Sequence, residues 1–281
     1  MKKGLVMEGG AMRGMFTCGV IDVFLENGIE FDGAVGVSAG AAFGINFKSR
    51  QIGRALRYNK QYMSDKRYCS FKNLIKTGDL FDAEFCYDTL PHKLDIFDEE
   101  ALIDNPMEFY AVATDANTGK PVYHKITNGR DDDLLWIRAS ASIPMVSKAV
   151  EVDGYELLDG GIADSIPLKF MQDKGYEKNV VILTRPFGYV RPSGQFDLAS
   201  KLFLRKYPAM IRAMKERYLM YNDETEYIRE QELAGKILVI RPPKDLKIPN
   251  LTKDPEVLQN AYDVGRKIAL EKLEKIRNYL K

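Results

Sequence analysis

Histidine is almost missing from this chain: its 281 residues include only His92 and His124. Neither stands in ligand spacing with another His, Cys or carboxylate pair, so no metal site and no cofactor is expected. Cysteine is scarce as well. Cys18, Cys69 and Cys86 are odd in number and form no C-x-x-C pair, which reads as reduced thiols of an intracellular protein rather than a disulfide framework. Charge of one sign is lacking too. Forty-one basic residues against 40 acidic leave a net charge of +1, which argues against a general nucleic-acid binder. Long apolar runs are absent. In MKKGLVMEGG the run from Gly4 to Met7 stops at Glu8, too short for a signal peptide, and no stretch elsewhere is long enough for a membrane span. These absences lead us to expect a cytoplasmic protein.

What is present is ample core material, with 45% hydrophobic residues. Apolar runs bounded by turn residues predict buried strands at Gly4 to Met7, Gly33 to Val37, Phe109 to Ala113, Val180 to Leu183 and Ile237 to Ile240. Helical periodicity lies between and after them, from Met15 to Glu26, Met210 to Met220 and Val257 to Leu280. The alternation implies an α/β fold, a three-layer α/β/α sandwich around a central, mostly parallel sheet. Lys120 to Lys125, and the pair 149–152 and 155–158 split by Asp153-Gly154, read as hairpin material. No repeat or long linker divides the chain, so one domain over 1–281 is expected, with 186–281 a helical part carrying one further strand.

Three short motifs carry chemistry. Gly36-Val37-Ser38-Ala39-Gly40 fits the G-x-S-x-G elbow, in which a serine sits on a sharp strand-to-helix turn. Chance supplies about one such match in ten to twenty chains this long, so the pentapeptide does not decide the matter alone. Upstream, the first strand ends in Glu8-Gly9-Gly10-Ala11-Met12-Arg13-Gly14 and runs into a helix. Such a turn presents backbone N–H groups and helix-dipole potential to a phosphate or an oxyanion. A P-loop would need Lys-Ser/Thr where Met15-Phe16 stand, and a dinucleotide loop would need glycine at Ala11 and an acid where the second strand ends in Ser38. Neighbouring parallel strands open their turns at one sheet edge, which would set the loop's amides across from Ser38.

A serine hydroxyl needs a base. No histidine follows His124, whereas an α/β-hydrolase places its histidine late, and His92 and His124 read as surface or core residues. A carboxylate remains: Asp159 closes an apolar run before Gly160-Gly161. By itself Asp159-Gly160-Gly161 is a turn signal; near a serine it is a candidate base.

Taken together, the three segments resemble the patatin-like acyl hydrolases (patatin-like phospholipases), bacterial type. Ala113-Thr114-Asp115, Gly119 to Tyr123 and Arg138 to Pro144 are similar as well, and the likeness runs from about residue 4 to 185. The resemblance implies a Ser–Asp dyad of Ser38 and Asp159, with Gly9, Gly10, Arg13 and Gly14 as oxyanion loop, Gly36 and Gly40 as elbow and Gly160 and Gly161 as base turn. It implies a phospholipase A or lysophospholipase-like esterase that forms an acyl-enzyme. Ala11 departs from the pattern, where the family commonly has a third glycine. The alternative is a lipid- or acyl-binding regulatory protein on the same scaffold.

Two surfaces bear on partners. Residues 48 to 76 carry Lys48, Arg50, Arg54, Arg57, Lys60, Lys66, Arg67, Lys72 and Lys76 with Tyr58, Tyr62, Tyr68 and Phe71 interleaved. That is either a solvated helix pair or a basic aromatic surface for anionic phospholipid headgroups at the inner membrane face. Lys201 to Lys206, with Met210, Ile211 and Met214, reads as helix core or as a wall for acyl chains. No nucleic acid is expected as a partner, and oligomeric state stays open.

Overall fold

The computed structural model describes residues 1–194 and 204–281. Eight described strands form one sheet: β1 (Lys2–Met7), β2 (Gly33–Val37), β3 (Glu108–Asp115), β4 (Pro121–Ile126), β5 (Val150–Val152), β6 (Tyr155–Asp159), β7 (Tyr176–Ile182) and β8 (Ile237–Ile240). Their order is β5-β6-β3-β2-β1-β7-β8, with β4 also paired to β3. The run β3-β2-β1-β7-β8 is parallel throughout. Strands buried on both faces need no polar alternation, which is why Gly33–Val37 and Ile237–Ile240 are continuous apolar runs and wholly buried. The other three pairings are antiparallel.

Hairpins arise where turn residues demanded them. Asp153 and Gly154, both at positive φ (51° and 78°), join β5 to β6 in the backbone geometry of a primed two-residue turn. The Lys120 to Lys125 segment becomes β4, folded back on β3 after Gly119 N–H closes on Asp115 O at 2.7 Å.

Helix α1 (Gly14–Glu26) links β1 to β2, and α2 (Ala39–Lys48) leaves β2. The C-terminal segment attaches at both layers. Helix Pro255–Glu271 lies along α1, where Tyr262 donates to the buried Asp22 carboxylate at 2.8 Å. The expected helix from Val257 to Leu280 is two: the chain leaves helical geometry at Lys272 (ψ 0°), and Leu273–Leu280 turns Ile276 and Leu280 into the core. The long helix Pro208–Leu233 crosses the other face and β8 joins the sheet beside β7. No helix among the described residues is long and apolar enough to cross a membrane.

Candidate active site

Strand β3 is the ruler that assembles the site. Its Val112 pairs with Val37 of β2, and the next residue, Ala113, pairs with Asp159 of β6. Strand β4 occupies the opposite edge from Phe109 to Thr114, so β2 and β6 must share the remaining one. They approach along it head to head, because β2 is parallel to β3 and β6 antiparallel. The residue after β2 is Ser38 and the last of β6 is Asp159, and they meet.

Close packing explains the glycines around them. A Cβ on Gly40 would lie 2.3 Å from Met7 O, and one on Gly160 would lie 2.1 Å from Val112 O. Ser38 itself holds φ 54° and ψ −119°, a strained conformation for a residue with a side chain, worth about 1–3 kcal/mol and retained where surrounding structure enforces it. The enforcement is visible: Ser38 N–H donates to the buried Ser140 hydroxyl at 2.9 Å.

Ser38 Oγ donates to Asp159 Oδ2 at 2.6 Å, and Gly161 N–H donates to Oδ1 at 2.8 Å. Thr114 Oγ1 donates to the Asp159 carbonyl at 2.8 Å and steadies the end of β6. Burial raises the Asp159 pKa above its ordinary value; Arg217, the Ser38 hydroxyl, the Gly161 amide and Arg191 pull against that rise.

The glycine-rich loop lies alongside. A Cβ on Gly9 would lie 3.1 Å from Ser38 Cβ, so this stretch of backbone touches the nucleophile candidate. Arg13 N–H closes on Gly10 O at 3.1 Å, and Gly14 N–H on the carbonyls of Ala11 and Met12. Those two amides are committed to the turn, whereas those of Gly9 and Gly10 stay clear of it. Ala11 adopts φ 47°, the left-handed region that glycine enters freely, and lines the cavity in front of Ser38. The Arg13 side chain reaches Asn250 Oδ1 at 2.9 Å. Glu8 anchors the base of the loop, accepting from Thr184 N–H, from Thr184 Oγ1 at 3.1 Å and from Tyr221 OH at 2.7 Å. Burial pushes its pKa up, against those donors and Arg13.

In front of Ser38 opens a cavity of about 160 Å³ with a largely apolar wall that includes Phe43, Tyr58, Leu90, Phe97 and Ile137. The charged groups of its wall are neutralised. Arg138 pairs with Asp79 at 3.1 Å, and Arg54 is bound to Asp95 O, Asn46 Oδ1 and the Asp95 carboxylate. Such a wall suits a hydrocarbon chain better than a polar ligand.

Neither histidine enters this constellation. His124 Nε2 lies 2.8 Å from Asp133 Oδ1 and its ring stacks on Trp136, while His92 sits in the π-helical segment Phe85–Leu94, with Nδ1 2.8 Å from Asp88 O. The basic aromatic stretch divides. Lys48 is buried on the carbonyls of Asn105 and Met107, and Arg54, Tyr58 and Tyr68 line the cavity, while Arg67, Phe71, Lys72 and Lys76 face solvent. In the second stretch, Lys201 to Phe203 lie outside the described residues. Leu204 and Met210 pack on Leu158 and Ile162 as core, and neither lines the cavity. Ser140 and Arg217 join the site without having been candidates on sequence grounds. Ser140 stands inside the Arg138 to Pro144 motif, which was a usable signal; nothing near Arg217 marks it.

Comparison with known proteins gives two family matches. A family model described as patatin-like phospholipase matches residues 5–171, and one described as a domain of unknown function (DUF6363) matches residues 207–281. The uncharacterized protein YjjU of Escherichia coli (strain K12) is 29% identical over 267 residues, spanning 93% of this chain and 74% of its own. Lysophospholipase nte1 of Aspergillus terreus is 26% identical over 298 residues, spanning 98% of this chain but 18% of its own. Among solved structures, VipD from Legionella pneumophila aligns with a TM-score of 0.49 at 13% identity, covering 98% of this chain and 67% of that one.

Proposed function

The chain belongs to the patatin-like phospholipase family, and on that premise we propose that it is a serine acyl hydrolase cleaving carboxylic esters of lipids. The observation that carries the proposal is the buried 2.6 Å hydrogen bond from Ser38, which lines an apolar cavity, to Asp159. Asp159 takes the Ser38 proton as Oγ attacks the ester carbonyl. The oxyanion that forms faces the N–H groups of Gly9 and Gly10, each such donor being worth about 3 kcal/mol of barrier. The departing alcohol recovers the proton from Asp159, leaving an acyl-enzyme. Water, deprotonated by Asp159, then attacks the acyl carbonyl, and as the fatty acid is released Ser38 Oγ takes the proton back from Asp159.

Burial serves this scheme. A carboxylate of ordinary pKa is a weak base at neutral pH, and raising its pKa improves proton acceptance. We propose the whole chain as one catalytic unit, because Arg217 and Tyr221 of the long helix reach Gly161 and Glu8. The name of the Aspergillus relative makes a monoacyl phospholipid the first substrate to test.

The deciding experiment is labelling with a fluorophosphonate, which reports an activated serine, together with turnover of p-nitrophenyl butyrate. Wild type is expected to label at Ser38 and turn over. Ser38→Ala is expected to do neither, with turnover down by about 10³-fold or more. Absence of labelling in the folded wild type would favour a lipid-binding protein without turnover.

A further inference from the structure

Helix Phe71–Thr77 contains no buried residue. Seven residues are about half the length at which an isolated helix becomes even marginal in water. Yet both ends are closed: the Ser70 hydroxyl accepts the Asn73 N–H at 3.2 Å, and Gly78, at φ 83°, returns its N–H to Leu74 O at 2.9 Å. Leu74 leans on the core below. Phe71 and Ile75, one turn apart on a common face, are 76% and 88% exposed. The chain therefore maintains a capped helix whose Phe71 and Ile75 the described residues leave largely uncovered.

Its position matters as much as its pattern. The segment leaves the cavity wall at Tyr68 and returns to it at Asp79 and Phe81. Cys69 bridges Phe81, and Ser70 N–H donates to Leu80 O at 3.1 Å, so the two arms are stapled at the wall. Ile143 and Leu251, which line the same cavity, are also exposed (38% and 41%). Along 65–77 the charge is mainly basic: Lys66, Arg67, Lys72 and Lys76 against Asp65, which is bonded to Arg67, and the next acid, Asp79, is bound by Arg138.

We propose that Phe71–Thr77 is an interfacial anchor that docks the protein on an anionic lipid bilayer. Phe71 and Ile75 enter the boundary between headgroups and acyl chains, and Lys66, Lys72 and Lys76 lie against headgroup anions. That docking turns the cavity toward the layer that holds the ester, an orientation that rests on the hydrolase reading above. Charge selects the bilayer over a second copy of this chain, since a two-fold contact through this face would set identical lysines against one another.

The test is co-sedimentation of the full chain with phosphatidylcholine vesicles, with and without one quarter phosphatidylglycerol, beside p-nitrophenyl butyrate turnover and thermal melting. Wild type is expected to bind the anionic vesicles. The double variant Phe71→Ser/Ile75→Ser is expected to bind at least about tenfold more weakly, as is Lys72→Glu/Lys76→Glu. Lys72→Arg/Lys76→Arg is expected to bind like wild type, and all variants keep wild-type melting and turnover of the soluble ester. No binding by wild type, or undiminished binding by Phe71→Ser/Ile75→Ser, would overturn the anchor. So would a change from dimer to monomer in that variant, which would make the face a self-association surface. Vesicle binding by a wild type that hydrolyses nothing would sink the hydrolase reading and leave the anchor standing.

Discussion

Arg217 donates from Nε to the carbonyl oxygen of Gly161, the residue whose own N–H holds Asp159 Oδ1. A C-terminal arginine thus braces the base turn 56 residues away in sequence. Its positive charge is the first of the influences that oppose burial in setting the Asp159 pKa. Replacing Arg217 with Met removes that charge, so the Asp159 pKa should rise further. Activity needs the ionised carboxylate, and the acid limb of the pH–rate profile should therefore move to higher pH. Arg217→Lys should restore part of the shift. A profile of kcat/KM against pH for the three proteins decides it; an unmoved limb would show that Arg217 acts only as a brace.

Asp159→Asn should separate stability from activity. A carboxyl whose folded pKa is raised contributes stability below its ordinary value, and that contribution is lost as pH rises through the folded pKa. At neutral pH the ionised Asp159 therefore costs stability. Asparagine still accepts from Gly161 N–H and still reaches Ser38 Oγ. The variant is expected to melt no lower than wild type at neutral pH, while losing about 10³–10⁴-fold in turnover as it loses its base. Calorimetry beside an esterase assay reads both.

Ala11→Gly should stabilise the protein. A left-handed φ of 47° costs a residue with a Cβ about 1–2 kcal/mol. Glycine relieves that but adds unfolded-state entropy worth about 0.4–1 kcal/mol. The net gain is about 0.5–1 kcal/mol, visible as a higher denaturant midpoint at unchanged slope. Turnover should not fall, since the methyl borders the cavity and contributes no donor.

The double variant His92→Ala/His124→Ala should keep its activity, because neither ring approaches Ser38. Its effect should appear in stability. Burial would raise the Asp133 pKa, yet hydrogen bonds from His124 and from the amides of Asn128, Gly129 and Thr127 hold it down to about 2. A depressed carboxyl contributes stability above its ordinary value, which is lost as pH falls from about 4 toward 2. Thermal melts across that range should show the double variant below wild type near pH 4, with the gap narrowing toward pH 2 as protonation of Asp133 costs the wild type the same bond.

The sequence alone determined the strands, the elbow and the reaction class to look for. Apolar runs such as 33–37 and 237–240 are local signals, because a strand buried on both faces must be apolar at every position. Glycines 36, 40 and 160 are local too, each marking a place where another backbone comes too close for a Cβ. What only the tertiary structure decided was which distant groups converge. That Ser38 and Asp159 lie 2.6 Å apart depends on β2 and β6 meeting on one edge of β3, a pairing register that no stretch of the chain encodes by itself. Arg217 and Tyr221 act through the same long-range contacts, so their roles had no sequence signature, whereas Ser140 stood inside a recognisable motif whose contact with Ser38 N–H only the fold supplied. The basic aromatic stretch shows the same divide. Its composition is one unbroken pattern, but burial in the cavity wall claims Arg54, Tyr58 and Tyr68, and leaves Phe71 and Ile75 to the solvent.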